Sequence, residues 1–467
     1  MLHYRLKAFL GALLAVIVTL PASAVTISAG ETHTCAVSSA GKVFCWGLNA
    51  DGEIGDGSRQ DRPDPVPVSG LDSIVTKDVR VGRNFSCSLA DDNTVRCWGA
   101  INPTQTKSDY LGLTNVLQIT AGSSHACSLV SSGDVFCWGD ASQGQLGAVD
   151  VGSIQGGKAA KIPELSGAKK ISAGKNVTCV VLLAGQVGCI GSGSQLPGAS
   201  SSPNEFRLVP AVNDAVDVST YDGHTCLVRV NGVVACWGKN DFGQAGSQQS
   251  VGSNLTEISG LESATSVAAG KGFTCALLTN NKISCWGSNA NGELGVGNEV
   301  RPSKYVIGIN SARSVSAGAN HACAVIEEGS YIQCWGNNQN GRLGTGQCYT
   351  NNAFYPGYSG APYFDSNLGQ CINSKAITPY SVKGFDASAD AEKVLLWAEK
   401  SFPAILGKGD EFTYVVSREG YFFRKYNNGA NLAITANGTP KVFYFGPDSN
   451  WQLVDLGALS QWVAIAK

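Results

Sequence analysis

The chain has 467 residues, 57 of them Gly and 16 Cys, with 15% charged residues and a formal net charge of -2. Glycine at roughly one residue in eight would punctuate every long helix, which excludes a helical bundle, and the apolar content excludes a disordered or acidic-tail protein. No basic field exists to hold a nucleic acid.

Residues 1–24 read as a secretory signal peptide. Arg5 and Lys7 precede an apolar run at 8–20, and Ala22-Ser23-Ala24 forms a small-residue cleavage site. The run is shorter than the roughly 20 residues a membrane span needs, and no later stretch is long enough, so no span is expected after leader removal. Export places the cysteines in an oxidising compartment. The short Ala-rich leader reads as bacterial, which makes the expected location secreted or periplasmic.

Seven copies of one motif follow, in strings such as HTCAVSSAGKVFCWG, HACSLVSSGDVFCWG and HTCLVRVNGVVACWG. Each copy opens on a small-residue strand that usually ends in Gly. Six copies close on C-W-G, and the fourth has Ile190 at the Trp position. Short alternating runs between Gly and Asn turns predict β-hairpins. A hairpin centred between the two Cys of a copy has a three-residue loop, whose last residue needs the left-handed region. That residue is Gly41, Asn93, Gly133, Gly185, Gly232 and Asn281 in the first six copies. The register sets the two Cys opposite each other, about 4.5–5.5 Å apart at Cα, within disulfide range. Seven cross-strand disulfides are therefore predicted: Cys35–Cys45, Cys87–Cys97, Cys127–Cys137, Cys179–Cys189, Cys226–Cys236, Cys275–Cys285 and Cys323–Cys334. The spacing does not suit zinc, which wants two to four residues between ligands.

Copies near 48 residues with several short strands have the size of propeller blades. The pattern A-G-x-x-H-T/A-C-A-L…G-x-V-x-C-W-G-x-N-x-x-G-x-L-G resembles the regulator-of-chromosome-condensation repeat family. GSNANGELGVG (287–297) and GNNQNGRLGTG (336–346) carry its glycine-rich end. The resemblance implies a seven-bladed β-propeller, here over 25–386. A linking strand follows most copies. The last one, ITPYSVKGF (377–385), is expected to close the ring by completing the blade opened at 25–30.

An insertion at about 347–375 interrupts the seventh copy. Its Cys348 and Cys371 are left to pair with each other. They enclose Tyr349, Phe354, Tyr355, Tyr358, Tyr363 and Phe364, a candidate binding loop because exposed Tyr and Phe anchor many interfaces. Residues 387–467 read as a small α+β domain. An amphipathic helix lies in DASADAEKVLLWAEKSFP, aromatic-rich strands follow, and LVDLGALSQWV reads as helical. Its Leu396-Trp397-Ala398-Glu399, Phe412-Thr413-Tyr414 and Tyr444-Phe445-Gly446-Pro447 resemble an accessory domain of secreted β-proteobacterial proteins.

Little in the chain points to catalysis. His33, His125, His224 and His321 occupy one repeat position, which holds Phe85, Val177 and Phe273 elsewhere, so it reads as a packing site. The inner strands end on small residues such as Ser28, Ala29, Ser172 and Ala173, which argues against an axial acid–base pair. No cofactor or metal is called for, and the Asn49–Glu53 stretch reads as a turn. The position after the inner-strand glycine varies as a recognition surface does: Glu31, Arg83, Ser123, Lys175, Asp222, Lys271 and Ala319. These features predict a non-enzymatic, monomeric, exported propeller that binds, inhibits or scaffolds a protein. The alternatives are a carbohydrate-binding or carbohydrate-active propeller, and guanine-nucleotide exchange on a small GTPase after delivery into a host.

Overall fold

A computed structural model describes residues 25–344, apart from 102–108, 111, 149–158, 194–195, 197–203, 247–251, 298–303 and 327–330. Beyond 344 it describes the strands Tyr363–Asp365, Gln370–Ile372 and Lys375–Ser381 and five more between 412 and 454. The leader at 1–24, Cys348, residues 349–358 and the helix expected within 386–403 lie outside the described residues, as does 455–463 of the expected final helix. Tyr363 and Phe364 fall on a short strand paired with Gln370–Ile372, which holds Cys371.

Seven antiparallel sheets make up a seven-bladed propeller. Their innermost strands are Thr26–Ala29, Thr76–Val81, Val116–Ala121, Ala168–Ala173, Ala215–Thr220, Ala264–Ala269 and Ala312–Ala317. Each touches the next, and the first touches the last, so the ring is closed. The hairpin loops follow their local chemistry. The residues at 41, 93, 133, 185, 232 and 281 all have φ between 61° and 84°, where only Gly and Asn sit without strain. Opposed Cys are bridged in all seven hairpins, at Cα separations of 4.0–4.1 Å.

Ring closure differs from the expectation. Lys375–Ser381 pairs with Tyr331–Asn337 and completes the seventh blade, not the first. The first blade already has four strands of its own, because Arg62–Pro67 pairs back onto Val43–Gly47. A linking strand is thus the outer edge of the copy it follows, and no blade is shared between the two ends of the propeller.

The core lies between blades. Trp98 of blade 2 packs among Val37, Val43, Cys45 and Ile54 of blade 1, and Trp46 of blade 1 packs against Val325 and Ile332 of blade 7. Both indoles are fully buried. Burying a ring of this size contributes on the order of several kcal/mol. Ile190 takes the same place against blade 3. Residues 412–454 form a separate five-stranded antiparallel meander, from Phe412–Val416 to Trp451–Val454.

Candidate functional site

The inner strands surround an axial cavity of about 490 Å³. Strand pleating sends alternate side chains to the axis. Two and four residues before the inner-strand glycine, these are mostly hydroxyls, but Arg80, Gln118, Lys170 and Asp217 are among them. The expectation of a small, neutral axis therefore holds only for part of the lining. Asp217 accepts the Val267 amide at 3.1 Å. Burial raises its carboxyl, and nearby Lys170 and Arg80 pull the other way.

The hydroxyls sew blade to blade. Oγ of Ser28 accepts the Val81 amide at 3.1 Å, and Oγ1 of Thr120 accepts that of Ala173 at 2.9 Å. Ser172, Ser219 and Ser316 do the same for Thr220, Ala269 and Ala29. The glycines that end the strands permit this approach. A Cβ on Gly122 would lie 2.0 Å from the carbonyl oxygen of Gly174 in the next blade. Blade 5 has Tyr221 at that level, and it lines one end of the cavity. Burial, then the Glu31 and Asp222 carboxylates, push its phenol well above the usual tyrosine range, while Arg342 and Arg83 oppose them.

The rim surrounds that end. The main chain at this position ties blades together: Glu31 N–H donates to Gly82 O, Ser123 to Gly174 O, Lys271 to Gly318 O and Ala319 to Gly30 O, at 3.1–3.5 Å. Arg83, Lys175 and Lys271 are exposed, Glu31, Ser123 and Asp222 half-buried. Ala319 is buried and offers no recognition group. Two ion pairs cross between neighbouring blades, Arg83–Glu31 at 3.7 Å and Lys175–Asp222 at 3.3 Å. Exposed pairs of this kind contribute about 0–1 kcal/mol, so they cost little to rearrange. Arg342, buried at the joint of blades 7 and 1, gives an N–H to Glu31 O at 3.0 Å. Burial lowers it to about 10, so it stays charged at neutral pH.

The four histidines are fully buried and hydrogen-bonded across blades. Nε2 of His33, His125, His224 and His321 lies 2.7–2.8 Å from the hydroxyls of Ser86, Thr178, Thr274 and Thr34 in the following blade. Each hydroxyl in turn donates to a turn carbonyl of the blade that carries the histidine, at Glu53, Gln145, Gln244 and Arg342. A carbonyl only accepts, so the hydroxyl proton points there and the imidazole carries its hydrogen on Nε2. Burial holds the rings neutral, with His33 down to about 3, His125 and His224 about 4, and His321 well below its ordinary value. The role is structural.

The Asn49–Glu53 stretch is a turn closed on itself. Asp51 N–H donates to Glu53 Oε2 at 2.8 Å, and Ile54 N–H donates to Asn49 Oδ1 at 3.0 Å. Among the described residues no group of three or more His, Cys, Asp or Glu is placed to hold a metal, and no helix is long and apolar enough to cross a membrane.

These features define a disulfide-bonded seven-bladed propeller. Comparison with known proteins finds that its repeats are similar to the regulator of chromosome condensation (RCC1) repeat, which matches residues 24–53, 116–145, 215–244, 264–293 and 312–342, and a second description of that repeat matches 40–89. The E3 ubiquitin-protein ligase HERC2 of Homo sapiens is 26% identical over 262 residues, 51% of this chain and 5% of that protein. The ultraviolet-B receptor UVR8 of Arabidopsis thaliana is 27% identical over 254 residues, 50% of this chain and 57% of the receptor. The chain thus spans well under two thirds of these relatives. Among solved structures, human WBSCR16 superposes with a TM-score of 0.60 at 19% identity, covering 73% of this chain and 94% of that one. Prp20p of Saccharomyces cerevisiae gives 0.55 at 19% identity, covering 63% and 80%. At such identities the likeness is one of fold.

Proposed function

We propose that this chain is an exported protein-interaction module whose rim around Tyr221 is the docking surface. One observation carries the reading. At the rim position main-chain bonds tie blades together, so the side chains of Arg83, Lys175 and Lys271 are left at the surface, the first two in exposed ion pairs that cost little to rearrange. A rigid surface is ordered before binding, which lowers the entropic cost of association. The leader-like 1–24 and the seven disulfides support export. Protein binding accords with the similar Prp20p, whose structure is described together with its binding to Gsp1p and histones. Nothing among the described residues favours carbohydrate chemistry or nucleotide exchange over this reading. Residues 387–467 are proposed as a separate accessory domain.

The test places a photo-crosslinking residue at 83, at 175 or, on a hairpin turn at the other end of blade 2, at 91. Oxidised protein is then exposed to envelope and culture-supernatant proteins. One adduct from 83 and 175, absent from 91, is expected, the adduct from 83 abolished by Lys175→Glu and that from 175 by Arg83→Glu. Equal crosslinking from 91, or none from the rim, would overturn the proposal.

A further inference from the structure

We propose that the axial cavity is a binding site for a small anionic ligand, a phosphate- or carboxylate-bearing molecule that enters from the end opposite Tyr221. The site does not depend on the rim reading. At about 490 Å³ the cavity is in the size range of small-molecule pockets. Its charged lining is Arg80, Lys170, Arg313 and Asp217, and with Asp78, the ion-pair partner of Arg80, the balance is one positive charge inside a protein whose net charge is -2.

The hydroxyls add directed donors. Those of Ser28, Thr120, Ser172, Ser219 and Ser316 each accept an amide N–H from the next blade. None of the five donates to a protein acceptor among the described residues. A hydroxyl whose lone pair is held by an amide on the wall has its proton left to give to whatever fills the cavity. Blade 2 replaces its hydroxyl at this level with Arg80. Its Nε donates to Asp78 Oδ2 at 3.0 Å, which fixes the guanidinium by one edge. The two terminal nitrogens make no protein hydrogen bond among the described residues, and they are the pair that grips an oxyanion in bidentate fashion. Lys170, four residues before its own glycine, is exposed in the cavity and has no carboxylate within 4 Å among the described residues. Asp217 supplies the opposing charge. It limits how much negative charge the site holds.

The experiment is isothermal titration of the full chain, oxidised, in low-salt buffer. Inorganic phosphate and citrate serve as separate arms, with chloride at matched ionic strength as reference. Saturable binding of phosphate assigns a phosphate-bearing ligand, and saturable binding of citrate alone assigns a carboxylate. Lys170→Gln and Arg80→Gln are each expected to weaken binding at least tenfold, and Lys239→Gln, with the same charge change on an outer loop, is expected to leave it unchanged. Asp217→Asn is expected to tighten binding at least threefold, a gain that damage to the fold would not produce. Should Arg80→Gln fail to fold, Lys170→Gln decides, because that side chain is exposed and makes no ion pair among the described residues. No saturable binding in either arm, or binding that survives Lys170→Gln, would overturn the proposal.

Discussion

The joint between blades 5 and 6 offers a sharp test of the histidine–hydroxyl pairing. In Thr274→Ala, His224 keeps a hydrogen on Nε2 with no acceptor, in a fully buried site. The Gln244 carbonyl loses the threonine but keeps Trp286 Nε1 at 2.9 Å. One buried unpaired donor costs about 1–3 kcal/mol. Its partner change is already present in the molecule. At the next joint Phe273 and Ala322 stand in the two places, both buried in one cluster, and Trp335 Nε1 still reaches the Glu293 carbonyl at 2.7 Å. His224→Phe with Thr274→Ala should therefore recover most of the loss, giving a coupling energy of at least about 1 kcal/mol. Calorimetric melting of the four proteins measures it, with the single threonine variant expected about 2–6 °C down. Thr178→Ala should fall further, because Ile190 replaces the tryptophan there and Gln145 O is left without a side-chain donor. Additivity within about 0.5 kcal/mol would refute the pairing.

Two further outcomes follow from buried ionisable groups. Unfolded histidines take up protons below about pH 6.5, whereas the folded ones stay neutral until about pH 3 or 4. The unfolded chain thus binds more protons in that window, and stability falls as pH drops through it. Glu53 and Asp217, both raised by burial, run the other way. Four histidines against two acids leave about two to three protons, or ~3–4 kcal/mol per pH unit at the steepest. Melting at pH 7.5 and pH 5 measures this, and a flat profile would contradict it. Glu53 is raised to about 7, so its contribution is full below about pH 4.5 and lost as pH rises through 7. Gln145 and Gln244 occupy the same place in other blades and make the same backbone bond. Glu53→Gln should raise stability at pH 8 by on the order of 1–3 kcal/mol and change little at pH 5. An equal effect at both values would count against it.

Local features of the propeller were legible where one residue's chemistry decides them. A left-handed turn position demands Gly or Asn whatever surrounds it, so Gly41 and Asn93 announce their hairpins, and the hairpins set Cys opposite Cys. Pairing between strands is another matter. The sequence at 62–67, Arg-Pro-Asp-Pro-Val-Pro, carries no side chain that selects the copy before it over the copy after it, and only the assembled ring shows that it closes the former. The axial charges are masked by the small residues that precede most of the glycines. Counting back by two along the pleat reaches Arg80, Gln118 and Lys170. The histidine pairing left a signal one repeat away. Each copy with His two before its Cys is followed by a copy with Ser or Thr one before its own, as in His33 and Ser86. Phe85 and Phe273 are followed by Ala126 and Ala322 instead. The exception, Val177, is followed by Thr225, which turns to Thr220 within its own blade.

The joint of blades 7 and 1 differs from the others in having no chain between its blades, so side chains and amides must hold it. A dense set of cross-blade bonds does so. Ala29 N–H reaches Ser316 Oγ, Ala319 N–H reaches Gly30 O, and Asn340 Nδ2 reaches Asp61, at 2.8–3.1 Å. Thr34 joins His321 to the Arg342 carbonyl, where Trp46 also donates. Elsewhere a broken joint stays tethered and recloses within the fold, whereas here the opened ring gains the freedom of two ends. Thr34→Ala should therefore act locally first. Hydrogen exchange at the Ala29 and Ala319 amides should speed by roughly 10- to 100-fold, the equivalent of about 1.4–2.8 kcal/mol. Thr274→Ala should leave its own cross-blade amide, Ala269, changed far less. If Ala269 responded as strongly in Thr274→Ala as Ala29 does in Thr34→Ala, the closure joint would be no weaker point than the rest, and the dense bonding there would need another cause.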